Sequence, residues 1–195
     1  AYITILDVSG SVSGFDTGPA NCLMDAWIGS NLHQAFDRDG CWAASGQVSP
    51  RLLESMLSDP FFSKDAPKST GIEYFNAAWL DRQLDGEKLD AADVQATLAE
   101  LTAVSVPDQV KKYSPEEVLV CGGGTHNSYL MQRLQANLPG VPLHSTAFRG
   151  LDPDWIEAIL FAWLARERLA GRLMETGSIT GARKPELLGK IVEPR

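Results

Sequence analysis

The stretch of this chain best equipped for chemistry is Phe15-Asp16-Thr17-Gly18-Pro19-Ala20-Asn21. Gly18 lets backbone approach a ligand closely, and Pro19 suits the first turn of a helix. Free N–H groups at such a turn favour an anion such as phosphate, and Asp16 beside them can accept a proton or hold a metal. Alone, Asp16 to Pro19 also fit a plain polar turn. A second stretch is Gly122-Gly123-Gly124-Thr125-His126-Asn127. Three successive glycines are costly in conformational entropy, so a flat or phosphorylated ligand lying against bare backbone explains them better than a tight turn does. The spacing is not GxGxxG, which gives a dinucleotide fold little support. A third candidate is Glu157, with Leu160, Phe161 and Leu164 near its own helical face. A carboxylate on a buried face must be paired or hydrogen-bonded, so Glu157 reads equally as a functional acid or as half of an internal salt bridge.

Other polar clusters are weaker. Pro67-Lys68-Ser69-Thr70-Gly71 contains Lys-Ser-Thr, but the glycines and the strand of a P-loop are missing before it. Asp37, Asp39 and Gly40 share part of a calcium-loop pattern without its third acid or closing Glu, so residues 36–46 read as a loop. His126 reads as a polar residue at a helix entry rather than a metal ligand. Cys22, Cys41 and Cys121 show neither CxxC spacing nor zinc-type pairing with His and fit reduced thiols in a cytoplasmic protein.

The elements that position these groups follow from periodicity. Tyr2, Ile3, Ile5, Leu6 and Val8 form an apolar run that leads through a Ser-Gly turn to Asp16. Leu23, Met24, Trp27, Ile28 and Leu32 then recur at helical spacing. Ser49-Pro50 opens a short helix that Asp59-Pro60 stops, and Phe75, Trp79 and Leu80 mark another. Asp90 and Asp93 begin a helix whose buried stripe is Val94, Leu98, Leu101 and Val104, with Ser105 outside it. Pro107 interrupts or kinks that helix, and it ends by Tyr113-Ser114-Pro115. Val118–Cys121 reads as a strand buried on both faces, followed by the glycines, a helix through Leu130 to Leu138, and the next strand at Val141-Pro142-Leu143. Asp152-Pro153 caps a helix from Pro153 to about Leu169, with Gly171 beyond its end. Thr180-Gly181-Ala182 reads as a turn and Leu187–Ile191 as a closing strand.

The 195 residues suffice for one large domain or two small ones, and 44% hydrophobic with 22% charged is ordinary globular usage. A net charge of -8 without any Lys/Arg run argues against a nucleic-acid surface, though not against nucleotides held by backbone N–H groups. No apolar stretch reaches the roughly 20 residues of a membrane span, and no signal peptide is visible. Ala1 starts almost directly in a strand without Met, as expected of a chain cut from something longer.

Six segments together resemble the 1,6-anhydro-N-acetylmuramic acid kinases. They are Gly14–Asn21 with Asp25-Ala26-Trp27; Asp37-Arg38-Asp39-Gly40; Lys68-Ser69-Thr70-Gly71 with Phe75-Asn76; Cys121–Gly124 with His126-Asn127; Glu157-Ala158 with Phe161–Ala165; and Thr180-Gly181-Ala182 with Leu188-Gly189. The resemblance implies an α/β fold of the actin/hexokinase/Hsp70-like (ribonuclease H-like) type, a mixed sheet with flanking helices. Residues 1–195 would be the second lobe of two plus returning C-terminal elements, and the first lobe with its phosphate loop would be absent. Ala20 stands where the family often has Gly, and Ile72 where Arg is usual. The implied reaction is ATP-dependent, opens 1,6-anhydro-N-acetylmuramic acid with water and phosphorylates it at O6, in cytoplasmic cell-wall recycling. By resemblance Asp16 is the general base, Thr17 and Gly18 belong to a phosphate loop, Gly122, Gly123, Gly124 and Asn127 match the adenosine-side motif, and Glu157 contacts sugar. ATP and Mg²⁺ are the implied cofactors and a homodimer the implied assembly, and the fragment alone is expected to be inactive. The competing expectations are another sugar or acetate kinase of the same superfold, or a non-catalytic lobe.

Overall fold

The computed structural model describes residues 1–84 and 86–192. Strands β1 (Tyr2–Leu6) and β2 (Val12–Asp16) form an antiparallel hairpin that pairs Tyr2 with Asp16 and Leu6 with Val12. Asp7 closes its turn, Oδ1 accepting from Ser9 N at 2.8 Å and Ser11 N at 2.9 Å. A short acid that satisfies turn N–H groups is what makes this stretch a turn.

Helices α1 (Cys22–Leu32), α2 (Cys41–Ser45), α3 (Pro50–Leu57), α4 (Pro60–Ser63) and α5 (Ala77–Gln83) follow, then the long α6 (Ala91–Val110). Short polar side chains start several of them. Ser49 Oγ accepts from Leu52 N, Asp59 Oδ1 from Phe61 N and Asn76 Oδ1 from Trp79 N, with Pro50 and Pro60 in the first turns. Asp59-Pro60 therefore both stops α3 and starts α4.

Helix α6 packs against α1, α2, α3 and α7 (Ser128–Ala136) and is buried continuously from Val94 to Ala103. The expected single stripe is corrected, because neighbours on several sides cover the polar positions as well. Ser105 is buried rather than outside. Pro107 does not break the helix, which runs on to Val110. With so little helix beyond it, the hydrogen bond that proline forfeits is lost only near the end. Phe61, Phe62, Phe75 and Trp79 pack beside this core, with ring centroids 5.0–5.7 Å apart between neighbours.

Strands β3 (Val118–Val120) and β4 (Leu143–Ser145) are parallel and joined through α7. Leu119 is exposed and its neighbours are only half-buried, so β3 is not buried on both faces. Where a mixed sheet is expected, the described residues form two separate two-stranded sheets, one antiparallel and one parallel, with helices around them.

Helix α8 (Ile156–Leu169) begins later than Pro153. Asp152 Oδ1 accepts from Asp154 N in a preceding turn, and Trp155 takes the N-cap position without a side-chain hydrogen bond. The expected buried face around Glu157 is solvent-exposed, Trp155 and Phe161 each at 62%. Helix α9 (Gly177–Thr180) ends in left-handed Gly181. Leu187–Ile191 forms no strand. Its neighbourhood has one isolated bridge, between Met174 and Glu186, and no edge along which a ladder extends.

Candidate active site

Strand β2 delivers Asp16 to its end. The Asp16 N–H donates to Lys68 O at 3.0 Å, and the carboxylate is held on one oxygen only. Oδ2 accepts from Thr70 N at 3.0 Å and from Ser69 Oγ at 3.1 Å. Oδ1 has no partner among the described residues. Lys68 is itself buried, its ammonium donating to Phe61 O and Phe62 O and lying 4.8 Å from the Phe61 ring centroid. Burial lowers its pKa, and Lys112 adds to that.

The turn after Asp16 differs from the expected helix start. Thr17 is buried, and its N–H and hydroxyl both reach Ala1 O, at 2.7 and 3.2 Å. That N–H is therefore not free for an anion. The Gly18 N–H has no acceptor among the described residues. A Cβ at Gly18 would lie 3.1 Å from the Phe62 ring and 3.2 Å from Ser105 Oγ, so a side chain there would require Phe62 or Ser105 to shift slightly. Pro19 precedes the helix rather than opening it. Ala20 adopts φ +52°, and α1 starts only at Cys22.

Asn21 lies between the two turns. It occupies the N-cap of α1 without making a side-chain cap hydrogen bond. Its carboxamide instead approaches the glycine turn, where a Cβ at Gly124 would lie 3.6 Å from Asn21 Oδ1 and one at Gly123 4.0 Å from Nδ2.

Gly122 takes φ +78° and donates its N–H to Pro153 O at 2.9 Å; the Gly123 and Gly124 N–H groups have no acceptor among the described residues. Gly123–His126 form one 3-10 turn, and Asn127 Oδ1 caps α7 by accepting from Leu130 N at 2.9 Å. His126 Nε2 meets the Asp154 carboxylate at 2.9 Å.

Between these turns lies a cleft of about 480 Å³ lined by Asn21, Asp25, Asp37, Asp39, Gly123 and Asn127, among others. Asp37 is buried and accepts from Trp42 N and Ala43 N, both at 2.9 Å, so its first role is to start α2. Burial, then the nearby Asp37, raises the pKa of Asp25. Gly40 lies behind the cleft, where a Cβ would fall 2.2 Å from Asn127 Oδ1.

Gly123 and Asn127 thus line one cleft, with Gly124 against its Asn21 wall. Asp16 does not line it, standing at the far end of the 16–21 turn. Glu157 is exposed on α8, near enough to Cys121 that its charge adds to burial in raising that thiol. The paired acid of α8 is Glu167, not Glu157. Hydrogen bonds from Arg172, outweighing burial, and then from Arg166 hold Glu167 at about 2. Asn21, Asp25 and Ser69 stand in the segments that carry the resemblance, but their spacing alone assigns them no role.

An acid at a strand end and two strand-to-helix turns with free N–H groups beside a cleft make an α/β arrangement suited to phosphorylated ligands. The chain belongs to the anhydro-N-acetylmuramic acid kinase family, whose model matches residues 1–194. It is 51% identical over 191 residues to the anhydro-N-acetylmuramic acid kinase of Xanthomonas axonopodis pv. citri, covering 97% of this chain and 51% of the relative. It is 49% identical over 192 residues to that of Pseudomonas fluorescens, covering 97% and 53%. For Xylella fastidiosa the figures are 47% over 193 residues, 98% and 51%. The chain therefore spans about half the length of the curated relatives it matches. No helix among the described residues is long and apolar enough to cross a membrane.

Proposed function

We propose that this chain is the second-lobe half of an ATP-dependent kinase. The whole enzyme opens 1,6-anhydro-N-acetylmuramic acid with water and phosphorylates it at O6, as part of cytoplasmic cell-wall recycling. The observation that carries this reading is the one-sided hold on Asp16. With Oδ2 occupied by Ser69 and Thr70, Oδ1 remains to accept a proton beside an anion-favouring turn. Asp16 takes a proton from water as that water attacks the anomeric carbon. The bond from that carbon to O6 breaks, and O6 attacks the terminal phosphorus of ATP, releasing ADP. Gly18, Gly123 and Gly124 offer N–H groups to phosphate oxygens, Asn21 and Asn127 shape the nucleotide side of the cleft, and Glu157 meets the sugar.

Mg²⁺ would supply charge neutralisation at the phosphates. Among the described residues no group of three or more His, Cys, Asp or Glu side chains could hold a metal ion. Magnesium is commonly held by one or two carboxylates together with substrate phosphates, so such a group is not needed for it. The actin/hexokinase-like two-lobed fold and the homodimer belong to the same proposal. The exposed apolar face of α8 supports it, since such a face is what a missing lobe or subunit would cover.

The test is Asp16→Asn in the protein carrying both halves. Turnover falls by roughly 10²–10⁴-fold, because a neutral amide of nearly the same shape cannot take the proton, while ATP binding stays near wild type. Turnover within about threefold of wild type sinks the assignment.

A further inference from the structure

Lys68-Ser69-Thr70 resembles a phosphate-binding sequence but has no phosphate-loop frame. The structure gives it another task. Its backbone runs beside the end of β2, Lys68 O accepting from Asp16 N at 3.0 Å. The next two residues converge on a single carboxylate oxygen, Oδ2 of Asp16, Ser69 through its hydroxyl and Thr70 through its N–H. The strip is anchored from behind by the buried Lys68 ammonium on the Phe61 and Phe62 carbonyls. Two donors on one oxygen fix the carboxylate plane and leave the other oxygen as the proton acceptor.

Resting on the proposed role of Asp16 as base, the geometry points to Ser69 as a positioning residue that holds the Asp16 carboxylate for proton abstraction, rather than a group that contacts ligand. Ser69 is solvent-exposed and belongs to no helix or strand. Its hydroxyl reaches no group but Asp16 among the described residues, so substitutions there leave the core intact. A hydrogen bond to a charged group is the stronger kind, and its loss lets the carboxylate rotate about χ2.

The experiment compares Ser69→Ala, Ser69→Val and Ser69→Thr in the protein carrying both halves, with Asp16→Asn in parallel. Ser69→Ala and Ser69→Val are expected to lower kcat by about 10- to 100-fold with KM for the sugar and for ATP within about twofold. Ser69→Thr, which restores the hydroxyl, recovers kcat to within about threefold of wild type, a recovery that a purely steric role would not give. Raised KM with unchanged kcat would make Ser69 a substrate contact and overturn the inference. So would Ser69→Val and Ser69→Thr behaving alike. If Asp16→Asn itself leaves turnover intact, the base assignment fails. If Asp16→Asn is inactive and Ser69→Ala is normal, only the positioning role fails.

Discussion

Thr102, midway along α6, donates its hydroxyl to the carbonyl of Ala20 at 3.2 Å and ties the Asp16–Asn21 turn to the longest helix of the core. The residue so held is a non-glycine at φ +52°. A Cβ in the left-handed region costs roughly 1–2 kcal/mol, whereas glycine costs roughly 0.5–1 kcal/mol through the unfolded chain. The first effect is the larger. Ala20→Gly is therefore expected to stabilise the chain by about 0.5–1 kcal/mol, read as a higher urea midpoint at unchanged slope. An equal or lower midpoint would show that Thr102 and the packing around it already compensate the strain.

The two glycines that open the second turn separate fold from function. Gly122 holds φ +78°, so any side chain there is strained although space around it is open. Gly123 has no positive φ, and a Cβ there meets only Asn21 Nδ2 at 4.0 Å. Gly122→Val should lower stability by about 1 kcal/mol or more. Gly123→Val should fold normally yet weaken ATP binding, since its branched side chain projects into the cleft beside Asn21. Calorimetry giving wild-type ATP affinity for a folded Gly123→Val variant would make the triple glycine a structural turn.

Local readings from the sequence held where one neighbour decides the outcome. The turn around Ser9 to Ser11, the Ser49-Pro50 helix start and the left-handed glycine beyond α8 all follow from short-range hydrogen bonding and backbone sterics. Readings that need the whole packing did not hold. Nothing in the pattern of α6 says that helices press on it from several sides, so Ser105 was assigned to solvent. Glu157 shows the converse, since an apolar face reads as buried whether or not this chain supplies its cover. The Asp16 turn and the glycine turn were both legible as candidate sites. That Asn21 lies between them, and that Ser69 and Thr70 hold Asp16, depends on contacts across 53 or more residues that spacing does not encode.

Asp59 sets a pH dependence for the aromatic cluster. Burial pushes its carboxyl up, but hydrogen bonds from Trp79 Nε1, Phe61 N and the Tyr74 hydroxyl outweigh that and hold it below the ordinary value of 3.8. A carboxyl depressed in the folded state stabilises the fold fully above its unfolded value. That contribution is lost as pH falls below 3.8, through the lower folded value. Asp59→Asn keeps the size but removes the charge. The gap in Tm between wild type and Asp59→Asn is expected to be full at neutrality and to narrow only below pH 3.8. A gap constant down to about pH 2 would remove Asp59 as the titrating group.

Helix α8 exposes Ile159, Leu160, Phe161 and Trp163, with Trp155 at its N-cap also in solvent, while its one buried side chain is Glu167. A helix with that much exposed apolar surface is stable when something covers it, and half the length of the relatives lies outside this chain. The 195-residue chain by itself is expected to fold around α6, to bind an apolar dye at α8, and to make no sugar phosphate from ATP and anhydro-sugar. Correct positioning of donor and acceptor accounts for roughly 7–11 kcal/mol of barrier lowering, and a half-cleft forfeits most of it. Mixing the chain with the separately produced other half should shift tryptophan emission to the blue, displace the dye and restore turnover. Trp155→Phe should reduce the emission shift while leaving turnover in place, which would assign the signal to α8. Turnover by the chain alone would show that its cleft is complete without another lobe. A restored activity with no change at Trp155 would put the covering surface elsewhere.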